Sequence, residues 1–366
     1  MSDMQLSSRR EYLLNQKKIH GRYLFGVFPA QYPREILWAM NILPVEIWDP
    51  PLDTSHAGAH LQTYICTIAK LGLELILQGK TDILDGFLFP HTCDSIQNLS
   101  SIVNDYLGTG KPCFFFYHPK GVYRESSHRF YIEQLRGFVS QLENHVGTLD
   151  YSQLRQSIDK SESVASLMRQ LYRVRAYGEL GVSNVDFYRT IRQSEFLHPD
   201  DFIPLLEGLL EERRNSPRSE PSVILSGVLP NPLEMLALLD ELKIRVGDDD
   251  LLACGRRHLV PSSQCEDPFE ILADRYFHMP PCTTRNAPVT ERLEYLINKA
   301  EGSKAQGVLF CMVKFCEPEL FDLPYLTEEL KKRGLRTLVL DIEPNQGLTG
   351  QLITRIEAFG EMIAHH

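Results

Sequence analysis

The sequence contains no apolar run that approaches the roughly 20 residues needed for a helix to cross a bilayer. Its opening, MSDMQLSSRREYLLNQKKIH, is polar and charged and has no apolar stretch of the signal-peptide kind. An excess of Lys and Arg, which binding to nucleic acid phosphates requires, is also missing, since the net charge is -10. These absences predict a cytoplasmic protein that binds neither a membrane nor nucleic acid.

No C-x-x-C pair occurs in the chain, which disfavours a zinc ribbon and a thioredoxin-like redox pair. In a reducing cytoplasm, disulfides are also not expected. Any metal site must therefore be assembled from cysteines that are far apart in the sequence. The eight cysteines are Cys66, Cys93, Cys113, Cys254, Cys265, Cys282, Cys311 and Cys316.

A phosphate-binding loop is missing as well. LQGKT and GTGKP each contain the Gly-Lys pair of a P-loop. A P-loop also needs a glycine five residues before that Gly. In these two stretches the position is occupied by Glu74 and by Asp105, respectively. We therefore expect any ATP chemistry to belong to another polypeptide.

Short apolar runs alternate with helical patterns in both halves of the chain, which is typical of parallel sheets covered on both faces. The sequence thus predicts an α/β fold with two Rossmann- or flavodoxin-like parallel-sheet domains. GVFPAQYPREILWAMNILPVEIWDP and SGVLPNPLEMLALLDELKIRVGDDD follow the same order of strand, proline turn, helix, strand and acidic turn, which indicates an internal duplication. The predicted ranges are an N-terminal helical extension (1–20), α/β domain 1 (21–124), a helical connecting region (125–219) and α/β domain 2 (220–366).

Two cysteines occupy positions where ligands collect in such folds, the carboxyl ends of the strands. Cys93 follows the strand GFLFP, and Cys316 follows GVLFCMV in the second half. Cys66 lies in the predicted helix before GFLFP, where core packing explains it equally well. If the domains face each other across a cleft, the three thiolates converge, and three sulfur ligands suit zinc or an iron–sulfur cluster.

Five stretches resemble the large subunits of the 2-hydroxyacyl-CoA dehydratase and benzoyl-CoA reductase superfamily, and the contexts of TCD and KFCEP are specific to it. HTCDSIQNLS is more similar to the benzoyl-CoA reductase branch. The resemblance spans roughly residues 20 to 360. The stretches are YPREILWAMNILPVEIW, CTIAKLGLELILQG, DGFLFPHTCDSIQNL, GVLFCMVKFCEPELFDLPYL and RTLVLDIEP.

The resemblance implies that Cys66, Cys93 and Cys316 bind a [4Fe-4S] cluster. It also implies a heterodimer with a homologous second subunit, a CoA-thioester substrate and an ATP-hydrolysing iron–sulfur activator that supplies single low-potential electrons. The implied activity is the radical chemistry of anaerobic metabolism, with a benzoyl-CoA reductase type of aromatic degradation favoured over a 2-hydroxyacyl-CoA dehydratase. A non-catalytic electron-relay subunit and a zinc-stapled or metal-free structural subunit remain alternatives.

The second half is richer in cysteine than the resemblance requires. The additional thiols are those of Cys254, Cys265, Cys282 and Cys311. They leave open a double-cubane [8Fe-9S] cluster, which needs more than three cysteines.

Three further residues are candidates for proton transfer. His91 and His118 lie beside strand ends, and histidine suits proton donation near neutral pH. Glu35 lies in the first turn of a predicted helix, where its charge is also explained by the helix dipole. Asp248, Asp249 and Asp250 are expected to form a solvated acidic turn.

Overall fold

The computed structural model describes residues 3–217 and 219–364, which divide into two compact units. Unit 1 comprises the residues through Glu162, together with Ser194–Pro199 and Ser262–His278. Unit 2 comprises Ser163–Gln193, Asp200–Pro261 and the residues from Met279 onward. Both units are therefore discontinuous in sequence.

The secondary structure alternates strands and helices. The strands are β1 (Tyr23–Val27), β2 (Ile42–Glu46), β3 (Gly86–Pro90), β4 (Cys113–Phe116), β5 (Ser222–Gly227), β6 (Arg245–Leu251), β7 (Gly307–Val313) and β8 (Arg336–Ile342). The helices are α1 (Asp3–His20), α2 (Arg34–Ala39), α3 (Thr67–Leu77), α4 (Asp94–Ser101), α5 (Glu125–Val146), α6 (Tyr151–Ala176), α7 (Asn184–Ile191), α8 (Pro199–Glu211), α9 (Leu233–Glu241), α10 (Gly255–His258), α11 (Pro268–Phe277), α12 (Val289–Ser303), α13 (Glu317–Lys332) and α14 (Gly350–Ala364). Short 3-10 turns lie at Ala57–Ala59, Arg192–Glu195 and Thr283–Arg285, and a π turn lies at Ile102–Tyr106.

Each unit contains a four-stranded, all-parallel sheet. The strand order is β2-β1-β3-β4 in unit 1 and β6-β5-β7-β8 in unit 2. The two orders are the same when strands are counted from the start of each unit, and they match the flavodoxin-like order. The predicted α/β class, with two parallel sheets in a repeated arrangement, is therefore confirmed.

The predicted strands GFLFP and GVLFCMV are present as β3 and β7, because fully buried parallel strands are nearly continuous in hydrophobic residues. β3 and β7 are buried along their whole length. In the chain, helices α5 to α8 come after β4 and before β5. Across the described residues, no helix is both long and apolar enough to span a membrane.

Helix α3 packs very closely on the sheet of unit 1. A Cβ atom at Gly72 would lie 2.5 Å from the ring of Phe28, so only glycine fits at this point of the helix. The Phe28 ring in turn stacks on Phe89 of β3, with 4.6 Å between the ring centroids. This contact fixes the distance between α3 and the strand that precedes Cys93.

Candidate metal centre

Cys66 is the residue immediately before α3. Its φ of -50° and ψ of 135° lie outside the helical region, so it caps the helix and is not part of it. The prediction that Cys66 lies within a helix is therefore wrong, since the helix begins at Thr67. The preceding Thr63 and Ile65 are β-branched and disfavour helix. The Cys66 side chain is buried.

Glu74 holds the connection that leads to Cys66. Its buried carboxylate accepts hydrogen bonds from the backbone N–H groups of His56 (2.9 Å) and Ala57 (2.8 Å). It also contacts Nδ1 of His56 at 2.6 Å and Nε2 of Gln78 at 2.8 Å. Burial raises the pKa of Glu74, but these hydrogen bonds outweigh burial and lower the pKa from 4.5 to about 2. The loop between β2 and α3 is thus fixed to the middle of the helix.

Cys93 lies just beyond β3 and is the N-cap residue of α4, with extended backbone angles (φ -154°, ψ 170°). Burial raises the pKa of its thiol to about 11, and the backbone N–H of Ile96 opposes that shift. The negative charge of a Cys66 thiolate raises the same pKa further. The Cys66 and Cys93 thiols therefore lie close enough in unit 1 for their charges to interact.

The chain before Cys93 is held in place by its neighbours. The Oγ1 of Thr92 accepts a hydrogen bond from the backbone N–H of Ala30 at 3.0 Å, and Thr92 is buried. The ammonium of Lys120, in the segment after β4, donates to the carbonyl of Thr92 at 3.3 Å. Its positive charge also favours the thiolate form of Cys93. Three loops at the carboxyl edge of this sheet thus meet around one thiol.

Cys316 has the equivalent position in unit 2. It follows β7, which corresponds in sheet order to β3, and it is the N-cap residue of α13. Its backbone N–H donates to the carbonyl of Val313 at 2.9 Å, which turns the chain from the strand into the helix. The side chain is partly exposed. Cys93 and Cys316 therefore share a strand–thiol–helix arrangement, as the sequence predicted.

All three cysteines are placed where a bound anion is favoured. The first N–H groups of a helix lack intrahelical partners, and the helix dipole is positive at that end. Within each unit of the described chain, no group of three or more His, Cys, Asp or Glu side chains is arranged to hold a metal ion. Unit 1 supplies Cys66 and Cys93, whose charges interact, and Cys316 belongs to unit 2.

The remaining cysteines differ in their surroundings. Cys311 is buried in β7 with its sulfur 3.6 Å from Sδ of Met235, and burial raises its pKa. The sulfur of Cys282 is 3.5 Å from Nη1 of Arg256 and 3.0 Å from Oγ1 of Thr284. Three further thiols complete the set: the partly buried Cys113 in unit 1, the buried Cys254 and the exposed Cys265. The extra cysteines are thus divided between the two units, with Cys265 in unit 1.

The candidates for proton transfer have different contacts. His91 is partly buried, and its ring contacts the ring of Tyr117. Burial lowers the pKa of His91, and the positive charge of Lys120 lowers it further. His118 is buried, with the hydroxyl of Tyr276 2.9 Å from its Nδ1. That hydroxyl donates to the carbonyl of Pro119 at 2.6 Å, so Tyr276 anchors the whole turn.

Glu35 has a structural explanation in addition to its place in the first turn of α2. Its carboxylate accepts a hydrogen bond from Oγ of Ser161 at 2.6 Å and lies 3.7 Å from Nη1 of Arg275. Burial with two such partners accounts for a carboxylate here without a role in proton transfer.

The expected acidic turn at 248–250 is wrong, because all three aspartates belong to β6. Asp249 and Asp250 are completely buried. Asp249 accepts hydrogen bonds from the hydroxyls of Tyr172 (2.6 Å) and Tyr188 (2.9 Å). Buried carboxylates require such partners, and these partners lie too far away in sequence to be recognised from the pattern DDD.

Sequence reasoning also missed two buried polar clusters. At the end of β2, the carboxylate of Glu46 accepts hydrogen bonds from the hydroxyl of Tyr32 and the indole of Trp48, both at 2.7 Å. In unit 2, Asp250 pairs with two buried arginines, Arg256 and Arg292. The acidic residue at the end of an apolar strand was the available signal in both clusters.

The fold and the cysteine positions define a class of protein with two parallel α/β units and cysteines at helix N-termini. Two of these cysteines, Cys93 and Cys316, follow a central strand of their sheet. The chain belongs to the family described as 2-hydroxyglutaryl-CoA dehydratase, D-component, whose model matches residues 29–363. This membership agrees with the superfamily that the sequence motifs resemble.

Curated relatives are similar over nearly the whole chain. The lactoyl-CoA dehydratase subunit beta of Anaerotignum propionicum is 26% identical, over 98% of this chain and 98% of its own. One of the subunits of benzoyl-CoA reductase from Thauera aromatica is 25% identical, over 93% of this chain and 91% of its own. The subunit beta of (R)-2-hydroxyglutaryl-CoA dehydratase from Acidaminococcus fermentans is 22% identical, over 98% and 97%. The relatives are thus subunits of both dehydratases and a reductase.

Proposed function

We propose that this chain is an iron–sulfur subunit of an enzyme that acts on CoA thioesters, with Cys66, Cys93 and Cys316 as the ligands of a [4Fe-4S] cluster. The observation that carries the proposal is the shared placement of these three residues as the N-cap of a helix. Thiolate ligands select iron–sulfur clusters and zinc, and helix N-termini favour their negative charge.

The residues present fit such a group. A cluster held by three thiolates supplies single-electron transfer and leaves one iron open to water or a substrate. The chain itself buries the thiol of Cys66 and partly buries that of Cys93. The backbone N–H groups of Ser95 and Ile96 favour the thiolate of Cys93. Lys120 adds a positive charge next to the same thiol.

For the reaction, we propose a benzoyl-CoA reductase type of activity, in which low-potential single electrons enter an aryl- or acyl-CoA thioester. The motif HTCDSIQNLS and the similarity to the Thauera aromatica benzoyl-CoA reductase chain support it. The similarity to the lactoyl-CoA dehydratase subunit beta favours a second candidate, the dehydration of a 2-hydroxyacyl-CoA. A decisive experiment must therefore offer both classes of substrate.

Two protein partners are part of the same proposal. Each relative is named as one subunit of an enzyme, so we propose that a homologous second subunit pairs with this chain. ATP hydrolysis is assigned to a separate activator. The Lys111 ammonium of GTGKP is bound by the carbonyls of Thr81 and Asp82, at 2.8 and 3.0 Å, and so has a structural role.

The test is to co-express the chain anaerobically with its partner subunit and activator, and to assay benzoyl-CoA and 2-hydroxyacyl-CoA thioesters with ATP. Ring reduction supports the first candidate and loss of water the second. Activity that survives omission of this chain shows that it is dispensable and contradicts both. If turnover requires this chain but the thioester binds only to the partner, the chain acts as an electron relay.

A further inference from the structure

A buried network of four charged side chains lies at the carboxyl edge of the unit 2 sheet. Its members are Asp250, Arg256, Arg292 and Glu319, and at most 3% of the surface of each is exposed. Two positive and two negative groups balance one another. Buried charges require pairing and hydrogen bonds, and here each guanidinium contacts both carboxylates.

The network connects the ends of two neighbouring strands. Arg256 donates through Nε to Oδ1 of Asp250 at 2.8 Å and through Nη2 to the Asp250 carbonyl at 2.7 Å. It also donates to the carbonyl of Gly227 at 3.2 Å. The hydroxyl of Ser226 donates to Oδ2 of Asp250 at 2.9 Å. The ends of β5 and β6 are thus held to one guanidinium.

Glu319 connects this group of strand ends to α13. Its Oε1 is 2.5 Å from Nη1 of Arg256, and its Oε2 is 2.5 Å from Nη2 of Arg292. The hydroxyl of Thr283 donates to Oε1 at 3.2 Å. In the next turn, Asp322 lies 3.3 Å from Nη1 of Arg292. Two turns of α13 are therefore bonded to β5, β6 and α12 through two arginines.

Glu319 is the third residue of α13, and Cys316 caps the same helix. Both oxygens of the Glu319 carboxylate are bonded. The carboxylate therefore fixes the rotation of the first turn about the helix axis and the distance of that turn from the sheet. Phe315, directly before the thiol, has a φ of 63°, so the chain reverses sharply just before Cys316. The direction of the thiol thus depends on how firmly the first turn is held.

We propose that the Asp250–Arg256–Arg292–Glu319 network positions Cys316 as a cluster ligand by fixing the first turn of α13. Glu319, Arg256 and Arg292 are positioning residues, since they act through the helix. The inference rests on the proposed function in one respect, the role of Cys316 as a cluster ligand. The fixed geometry of the thiol is measurable in the full chain without any cluster.

The experiment compares Glu319→Gln with Asp248→Asn. Asp248 also forms a buried ion pair in unit 2, with Lys299 at 2.6 Å, but that pair joins β6 to α12 and includes no residue of α13. Both variants lose one charge of a buried pair, so both are expected to lower the thermal midpoint. Only Glu319→Gln should alter the accessibility of the Cys316 thiol.

Two readouts are used on the full chain. The first is the rate of Cys316 alkylation after iron removal, followed by mass spectrometry with Cys93 as the internal reference. We expect about a tenfold increase at Cys316 in Glu319→Gln, from local opening of the first turn, and none in Asp248→Asn. The second is iron per chain after anaerobic purification, expected to fall in Glu319→Gln only.

Unchanged Cys316 alkylation and iron in Glu319→Gln overturn the inference, and an equal change in Asp248→Asn does the same. Should Glu319→Gln not fold, Arg292→Lys replaces it, because lysine keeps the buried charge but lacks the planar fork that bridges two carboxylates. Cys316→Ser separates the two proposals. If that variant keeps its iron, the ligand assignment fails, whereas altered alkylation in Glu319→Gln still supports the network.

Discussion

The carboxylate of Glu74 accepts the backbone N–H of Ala57 at 2.8 Å, which joins the loop after β2 to the middle of α3. Cys66 lies between the two joined points. A buried carboxylate is therefore part of the scaffold of one proposed ligand in unit 1, as Glu319 is for Cys316 in unit 2.

Replacing Glu74 with alanine leaves the N–H groups of His56 and Ala57 without their acceptor inside the protein. Ala57 is fully buried, and an unmet buried donor costs about 1–3 kcal/mol, so we expect the free energy of unfolding to fall by at least that amount. Urea denaturation measures this free energy of unfolding. The control is Glu328→Gln, which removes an exposed i,i+4 ion pair with Lys332 and should change stability little. Equal effects would contradict the role given to Glu74.

Acid should destabilise the protein through Glu74 and Glu319. The pKa of each is about 2 in the folded chain, below the ordinary 4.5. Such depressed groups contribute stability that is fully present above pH about 4.5 and is lost as the pH falls toward 2. Urea titrations between pH 7 and 3 should therefore show a steep loss of stability below pH about 4.5.

The variants Glu74→Gln and Glu319→Gln should each make stability depend less steeply on pH. A pH dependence equal to that of the parent would show that the pKa of the replaced carboxylate is not lowered by folding.

Gly72→Ala tests the close packing of α3 on the sheet. The added methyl would meet the ring of Phe28, so we expect a loss of about 1–3 kcal/mol despite the better helix propensity of alanine. Gly137 in α5 provides the matched control, because nothing lies within 4 Å of a Cβ placed there. Gly137→Ala should raise stability by about 0.5–1 kcal/mol. Stabilisation by both substitutions would contradict the packing described.

Tyr276→Phe tests the anchor of the turn after β4. The substitution removes the hydroxyl that is bonded to the Pro119 carbonyl and lies beside Nδ1 of His118. A loss of about 1 kcal/mol in unfolding free energy is expected, since one buried acceptor loses its donor. If turnover falls while stability is unchanged, the Tyr276 hydroxyl acts in the reaction and not as an anchor.

The strands were predictable because buried parallel strands such as GFLFP and GVLFCMV are continuous apolar runs bounded by turn residues. The equivalence of Cys93 and Cys316 followed from those runs alone. The attachment of the loop before α3 was not predictable, since Glu74 bonds to residues 17 and 18 positions earlier. The burial of Asp250 depends on Arg292, 42 residues away, and no local pattern reports such a partner.

The helix N-cap positions were the least visible part of the site. Cysteine is not among the residues that typically cap helices, so its pattern carries no boundary signal. In the structure, Cys254 and Cys282 also precede short helical segments, in addition to Cys66, Cys93 and Cys316. Recognition of these positions required the backbone angles of each residue.

The central claim is tested most directly by measuring iron and acid-labile sulfide in anaerobically purified protein. We expect about four of each per chain in the parent, as a single cubane requires. Cys66→Ser, Cys93→Ser and Cys316→Ser should lose the cluster, whereas the exposed Cys265→Ser should keep it. About eight iron atoms would indicate a double cubane. One zinc per chain and no iron, or full iron in Cys93→Ser, would contradict the account.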